Sequence, residues 1–205
     1  MNKEIYDILD YYIPNPKCEL DYNSPFELLI ATILSAQCTD KRVNIVTKEL
    51  FKKYDINSLA SASKKDIEDI IRSCGSYSKK SEYIITVSKR LLKDYNGIVP
   101  NDRKYLESLP GVGRKTTNVV LKNIYNEPSI PVDTHVERVS KRLGFAGIND
   151  SVRIIEKKLM KKIPKDKWNR VSEQILLFGR YYCTSKNPKC LDCKFKNYCK
   201  YKKNS

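Results

Sequence analysis

The spacing of apolar residues follows a helical period along almost the whole chain. In the clearest segment the positions i, i+3, i+4, i+7 and i+8 of one helix face are all apolar: Phe26, Leu29, Ile30, Ile33 and Leu34. Similar stripes occur at residues 5–12, 43–51, 67–71, 83–92, 136–143, 152–163 and 168–178. We find no convincing strand-like alternation and no internal repeat. The sequence therefore predicts an all-α fold built from short helices with short connections.

Several helix ends are also marked in the sequence. Ser24 can cap a helix that begins at Pro25, and Glu27 can complete a capping box by reaching back to the Ser24 amide. Glycines that follow the last periodic residue of a helix predict left-handed caps at Gly75, Gly97 and Gly144.

The charge of the chain indicates a polyanionic partner. The 205 residues include 39 Lys and Arg against 24 Asp and Glu, a formal charge of +15 that is spread along the sequence. Nucleic acid is the usual partner of such a chain, although an acidic membrane surface or an AT-biased genome could give similar numbers. Residues 1–12 mix charged with apolar side chains, which excludes a secretory signal or membrane span there. We expect an intracellular, cytoplasmic protein without a membrane partner, acting as a monomer.

Residues 109–116, with the sequence LPGVGRKT, predict a helix-hairpin-helix turn. They join a helix ending near Leu109 to one that continues through Leu121, and two glycines in three residues allow a sharp turn that exposes backbone amides. Such amides, with the positive end of the second helix, form a sequence-independent phosphate site. A nucleotide-binding P-loop does not match, because Arg114 separates Gly113 from Lys115 and no strand precedes the turn. An ordinary αα-corner remains the alternative when the turn is considered alone.

Four cysteines are crowded at the C-terminal end with the spacing C-x6-C-x2-C-x5-C, namely Cys183, Cys190, Cys193 and Cys199. Four thiolates at this spacing strongly predict one metal centre, but both zinc and an iron–sulfur cluster accept such a set. Disulfides are not expected in a reducing cell. The scattered Cys18, Cys38 and Cys74 are expected to be buried thiols.

The hairpin, the following sequence VDTH at residues 132–135 and the four cysteines together resemble the endonuclease III family in their order and spacing. The resemblance extends from about Tyr22 to Tyr201. It implies a helix-hairpin-helix glycosylase fold and a bifunctional enzyme of base excision repair. This enzyme would remove oxidised pyrimidines from double-stranded DNA and cleave the abasic strand by β-elimination through a lysine Schiff base. It also implies that the four cysteines hold a [4Fe–4S] cluster.

The resemblance assigns the catalytic roles to Lys115 as nucleophile and Asp133 as its assistant. A neutral amine is required for attack on the sugar C1′. The first turn of the helix and Arg114 disfavour an ammonium at Lys115, whereas a close Asp133 carboxylate favours it, so the sequence leaves the net effect open. Asp133 is expected to stabilise positive charge on the sugar and to move protons, and it can also cap the next helix. His135 is expected to be structural or to contact phosphate.

Other residues are expected to contact DNA. The hairpin residues Gly111, Val112, Gly113 and Arg114 would bind phosphate, and Gln37 of the sequence LSAQ would fill the space left by a flipped nucleotide. The family commonly has a leucine wedge directly after a glycine, but this chain has Ser76 there, which cannot wedge apolar bulk between bases. Tyr77 is a candidate substitute. Lys186 and Lys189, beside the cysteines, are expected to contact the DNA backbone.

The resemblance further implies two domains. A six-helix domain would span 22–127, with the hairpin motif at about 105–125, and residues 1–21 with 128–205 would form a second domain carrying the cluster loop at 183–199. Lys115 and Asp133 would face each other across the cleft between them.

Three alternatives remain. An adenine-specific mismatch glycosylase lacks the hairpin lysine and carries a glutamate where this chain has Thr32, and a thymine mismatch glycosylase also lacks the lysine. The third is a DNA-binding module without catalysis.

Overall fold

The computed structural model describes residues 1–201, so the last four positions of the second predicted domain, 202–205, lie outside the described residues. Within the described part the chain is helical and contains no β-strand. Its α-helices are α1 Lys3–Tyr12, α2 Pro25–Leu34, α3 Asp40–Lys53, α4 Ile56–Ala60, α5 Lys64–Ile71, α6 Tyr77–Tyr95, α7 Arg103–Ser108, α8 Arg114–Tyr125, α9 Thr134–Arg142, α10 Val152–Lys162 and α11 Trp168–Tyr181. None of the helices among residues 1–201 is both long and apolar enough to cross a membrane.

The chain divides into two compact units. One comprises Cys18–Tyr125, and the other combines Met1–Lys17 with Asn126–Ser205. The first unit contains α2 to α8, whereas the resemblance implied six helices. The additional element is α4, which at five residues is too short to show a period in its apolar residues.

The core of the first unit is built around α2. Phe26 and all residues from Leu28 to Leu34 are buried, so both faces of this helix are covered, as expected for a helix that is apolar all round. The apolar stripe in the sequence predicted burial of one face of α2, whereas both faces are buried. The neighbouring helices α3, α6 and α8 contribute Leu50, Ile84 and Val120 to the same core.

The cap of α2 differs in one bond from the prediction. The hydroxyl of Ser24 accepts a hydrogen bond from the Glu27 amide at 3.1 Å, as expected. The Glu27 carboxylate, however, accepts from the amide of Asn23 at 2.7 Å and not from that of Ser24.

All three predicted glycines have positive φ, as expected, but at two of them a neighbouring residue is left-handed as well. Gly144, with φ of 71°, follows the cap residue of α9 as predicted. After α6, however, Asn96 takes the left-handed conformation, and Gly97 follows it and donates to the Leu91 carbonyl at 2.9 Å. Gly75 has positive φ but extended ψ, and the left-handed residue there is Ser76. Asn tolerates this conformation because its short polar side chain can bond locally.

The second unit packs α1, α9, α10 and α11 around a separate apolar core. The two helices α9 and α11 pack closely at Gly179, where an added Cβ would lie 2.9 Å from the Val139 side chain and 3.2 Å from the His135 carbonyl oxygen. The segment after α11 is fixed to this core by Phe195, which is fully buried and lies with its ring centroid 5.0 Å from that of Phe178.

Candidate active site and DNA-binding residues

The turn between α7 and α8 is fixed by its glycines and by Val112. Gly111 has φ of 75°, and a Cβ at this position would lie 2.6 Å from the ring of Tyr83. A residue other than glycine would thus meet both backbone strain and a clash. A Cβ added at Gly113 would meet no atom within 4 Å, and this glycine is exposed. Glycine at position 113 therefore leaves the backbone of the turn exposed.

Val112 has a different place from the one predicted. Its amide donates to the Leu109 carbonyl at 3.1 Å, and its side chain is buried in the core of the first unit. The amide is therefore used within the turn, because the chain reverses direction there. Val112 anchors the hairpin, while the exposed positions beside it are Gly111, Gly113 and Arg114.

Lys115 lies in the first turn of α8. The first hydrogen bond of this helix runs from the Thr117 amide to the Gly113 carbonyl at 3.0 Å, so the amides just before Thr117 have no acceptor within the helix. Lys115 is half-buried, between exposed Arg114 and buried Thr116. This arrangement places Lys115 at the positive end of a helix, beside exposed backbone suited to phosphate.

Asp133 is the N-cap of α9. Its Oδ1 accepts hydrogen bonds from the amides of His135 at 2.9 Å and Val136 at 2.8 Å. Both bonds use the same oxygen, which leaves Oδ2 outside the cap. The carboxyl group is half-buried and held in one orientation by the helix that it begins.

His135 is held by the packing of α9 on α11. Its Nδ1 lies 3.1 Å from Nη2 of Arg138, which also donates to the Gly179 carbonyl at 2.7 Å. Burial lowers the pKa of His135 below its ordinary value of 6.5, and the charges of Arg138 and Arg180 lower it further against the opposing effect of Asp133. These contacts favour a neutral ring that accepts a hydrogen bond from an arginine.

Gln37 and Ser76 both lie in strained, exposed turns of the first unit. Gln37 has φ of 55° and Ser76 has φ of 45°, conformations that residues with a Cβ rarely adopt. Tyr77, the first residue of α6, is half-buried, and the guanidinium carbon of Arg72 lies 5.4 Å from its ring centroid. Backbone strain of this kind is common where a side chain must be presented to a ligand.

One polar residue of this region was not predicted from the sequence. Lys80 of α6 is buried, and its Nζ donates to the carbonyls of Leu34, Ala36 and Cys74. A signal was present, because Lys80 stands on the same helix face as the apolar Ile84, Val87 and Leu91.

The four C-terminal cysteines lie on the segment anchored by Phe195. Burial raises the pKa of Cys193, and the neighbouring thiols of Cys183 and Cys199 raise it further, so these three groups lie near one another. The Cys193 amide donates to the Cys190 carbonyl at 3.3 Å. Among residues 1–201, no three or more His, Cys, Asp or Glu side chains are arranged as ligands of one metal ion. In number and chemical type, the four thiols match the four cysteine ligands of a single iron–sulfur cluster.

Basic groups surround this segment. Arg142 is buried, and its Nη1 lies 3.3 Å from Sγ of Cys183 and 2.7 Å from the Thr184 carbonyl oxygen. Lys186 and Lys189 are exposed, and Nζ of Lys189 lies 5.1 Å from the ring centroid of Tyr182. The segment therefore exposes the charges of Lys186 and Lys189, while the buried guanidinium of Arg142 bonds its backbone.

Comparison with known proteins identifies the family of this chain. Residues 30–165 match the model of the HhH-GPD superfamily base excision DNA repair protein. Endonuclease III of Bacillus subtilis is 46% identical over 188 residues, which cover 91% of this chain and 86% of that protein. Endonuclease III of Synechocystis is 43% identical over 198 residues, covering 96% of this chain and 90% of that protein.

This chain belongs to the endonuclease III family. The solved structure of a trapped endonuclease III–DNA covalent intermediate, in an estranged-adenine complex, matches with a TM-score of 0.92 at 46% identity and covers 98% of this chain and 97% of that one. The predicted family and all-α helix-hairpin-helix fold are confirmed. The predicted enzyme class, a DNA glycosylase and abasic-site lyase of base excision repair, is also confirmed.

Proposed function

We propose that this endonuclease III-family chain acts on oxidised pyrimidines in double-stranded DNA and uses Lys115 as its nucleophile. The observation that carries the proposal is the position of Lys115, half-buried in the first turn of α8 directly after the glycine turn. The preference for oxidised pyrimidines is the one that the family resemblance implies. We expect the protein to work as a monomer on intracellular DNA.

The chemistry begins with attack of the neutral Lys115 amine on C1′ of the damaged nucleotide. A C–N bond forms as the glycosidic bond breaks, and the base leaves with the bonding electron pair. Opening of the sugar ring gives a Schiff base, which acidifies the 2′ proton. Removal of that proton expels the 3′ phosphate by β-elimination, and water then releases the lysine.

The local field supports this placement of the nucleophile. The positive end of the α8 dipole and the charge of Arg114, which is adjacent in sequence, attract the phosphates that flank the damaged nucleotide.

Asp133 is proposed to stabilise positive charge on the sugar and to move protons during the reaction. Its Oδ1 is held by the amides of His135 and Val136, so the carboxylate is preorganised and does not reorient when charge develops.

DNA is proposed to bind through backbone contacts and side-chain insertion. Gly111, Gly113 and Arg114 would contact a phosphate at the hairpin, and Lys186 and Lys189 would contact others. Gln37 and Ser76 would enter the space left by the extruded nucleotide, with Tyr77 supplying the apolar surface that Ser76 lacks. The exposure of Gln37 and Ser76 in strained turns supports these roles.

Cys183, Cys190, Cys193 and Cys199 are proposed to hold a [4Fe–4S] cluster. When bound, the cluster supplies a rigid cross-link that orders the basic segment, and Arg142 adds contacts to the carbonyls of Thr184 and Ser185. The chain's own lysines then make the DNA contacts. Each phosphate that they neutralise steepens the salt dependence of binding by roughly 0.9 in log–log slope.

Single-turnover cleavage of a duplex with one thymine glycol tests the proposal. The wild-type chain should nick the strand without added base, and Lys115→Ala should lose both base removal and nicking. Lys93→Ala is the matched control, because Lys93 is an exposed lysine in the last turn of α6. A chain that binds the duplex but leaves it intact would instead be a DNA-binding module without catalysis.

A further inference from the structure

Lys80 occupies a position where the pattern of α6 predicts an apolar side chain. Only 4% of its surface is exposed, and Ile84, Ser88 and Leu91 line the same buried face. Lysine is almost never fully buried unless its charge is compensated. The contacts of this side chain therefore indicate a specific use of the charge within the first unit.

The ammonium group of Lys80 bridges two separate turns. Its Nζ donates to the carbonyl oxygens of Leu34 at 2.9 Å and Ala36 at 2.8 Å, and to that of Cys74 at 2.6 Å. An ammonium has three N–H donors and no acceptor, so these bonds use all of its hydrogen-bonding capacity. Leu34 is the last residue of α2, where carbonyls lack an N–H donor within the helix.

The two bridged turns are those that carry the proposed inserting residues. Ala36 directly precedes Gln37, and Cys74 is followed by Gly75 and Ser76. Gln37 and Ser76 both have positive φ, which persists only where the surroundings fix the backbone. Lys80 constrains the backbone of both turns, because its Nζ bonds the carbonyl one residue before Gln37 and the carbonyl two residues before Ser76.

The charge on Lys80 is not neutralised by the nearby thiols. Burial raises the pKa of Cys74 to about 11, with a further contribution from Cys38, so Cys74 is a neutral thiol at physiological pH. Burial also lowers the pKa of Lys80, while the three carbonyl oxygens favour its charged form. Because Nζ is buried, its charge acts on these carbonyls rather than on a phosphate.

We propose that Lys80 is a positioning residue for base extrusion, which holds the turn of Gln37 and the turn of Ser76 in one fixed arrangement so that both enter the DNA together. The inference rests on the proposed function, because it concerns how the inserting residues are placed. It differs from a purely structural role for Lys80, which would support the fold without favouring extrusion.

The test compares wild type with Lys80→Met, which keeps the length and apolar stem but removes the donors. Lys93→Met is the control, because Lys93 is an exposed lysine in the last turn of the same helix. Fluorescence of 2-aminopurine placed next to a thymine glycol reports unstacking of the duplex. Single-turnover rates are measured on this duplex and on one with a preformed abasic site, and thermal unfolding gives the folded fraction.

Lys80→Met should reduce the fluorescence rise and the rate of base removal from the paired lesion by roughly tenfold or more, since the inserting residues offset the cost of unstacking. Nicking at the preformed abasic site, which has no base to extrude, should change by less than about threefold. Lys93→Met should retain both activities. If Lys80→Met does not fold, Lys80→Gln serves instead, because it keeps polar donors but is too short to reach three carbonyls. For this variant too, base removal from the paired lesion should fall while nicking at the abasic site is largely kept.

Equal losses on the two duplexes, or a fluorescence rise equal to that of wild type, would overturn the role of Lys80. A wild-type chain that produces no fluorescence rise and no nick would overturn the proposed function itself. The two failures are therefore distinguished by the wild-type protein alone.

Discussion

The Oδ1 atom of Asp133 accepts a hydrogen bond of 2.8 Å from the backbone amide of Val136. The carboxyl group thus begins α9 and at the same time is proposed to serve the reaction. These two uses differ in what they require, because an N-cap needs only an oxygen acceptor whereas stabilisation of a cationic sugar needs a negative charge.

Substitution of Asp133 separates the two uses. Asp133→Asn keeps a good N-cap, so the free energy of unfolding should change by less than about 0.5 kcal/mol, while Asp133→Ala should lose about 1 kcal/mol. Both variants should lose about a hundredfold or more in base removal, because both remove the charge. Chemical denaturation and single-turnover kinetics on a thymine glycol duplex check this. An Asn variant as active as wild type would mean that Asp133 only caps α9.

The two glycines of the hairpin should respond differently to alanine. Gly111→Ala meets the Tyr83 ring and a φ of 75°, so it should lower the free energy of unfolding by about 2 kcal/mol or more. Gly113→Ala meets no atom within 4 Å and should keep stability within about 0.5 kcal/mol. Its methyl group would nevertheless stand on the exposed backbone and weaken DNA binding. Thermal unfolding and binding to an abasic-analogue duplex distinguish these effects, and unchanged affinity of Gly113→Ala would contradict the phosphate site.

Gln37→Gly should separate stability from activity. Glycine relieves the strain of a positive φ, worth about 1 kcal/mol, but costs a comparable amount of backbone entropy. The free energy of unfolding should therefore stay within about 1 kcal/mol of wild type. Base removal from a paired lesion should fall, because the side chain that enters the duplex is gone. Full activity of this variant on paired duplex would exclude Gln37 from insertion.

Protonation of His135 should lower the free energy of unfolding when the pH is made mildly acidic. Since burial lowers its pKa below 6.5, the unfolded chain binds this proton more readily than the folded chain. The stability that the neutral His135 contributes is fully present above pH 6.5. It is lost as the pH falls through the pKa of His135 in the folded chain. The charged groups that set this value are Asp133, Arg138 and Arg180. His135 is the single histidine of the chain, so His135→Gln should flatten the pH dependence of the unfolding free energy in this window. An unchanged slope would contradict this assignment.

The positions of the helices were predicted correctly where the periodic pattern of apolar residues extended over several turns. The stripe that includes Phe26 and Leu34 marked α2, and Ser24 was correctly expected to cap it. The partner of Glu27 was wrong, because the choice between two adjacent amides depends on how the chain enters the helix. The short α4 was missed since five residues cannot display a period.

The candidate site could be predicted only as far as motifs extend. Lys115 and Asp133 followed from the hairpin and the VDTH sequence, and their roles stay predictions. Lys80 belongs to no motif, and its three acceptors come from Leu34, Ala36 and Cys74, which are distant in sequence. Contacts of this kind depend on packing and cannot be derived from the local order of residues.

The Lys115 amine is proposed to form the covalent link to DNA. The most direct measurement is borohydride trapping with a thymine-glycol duplex, followed by peptide mapping of the adduct. We expect a trapped complex with wild type, a reduced link mapped to Lys115, and no adduct with Lys115→Ala. Trapping of Lys115→Ala at the wild-type level, or an adduct mapped to another lysine, would contradict it.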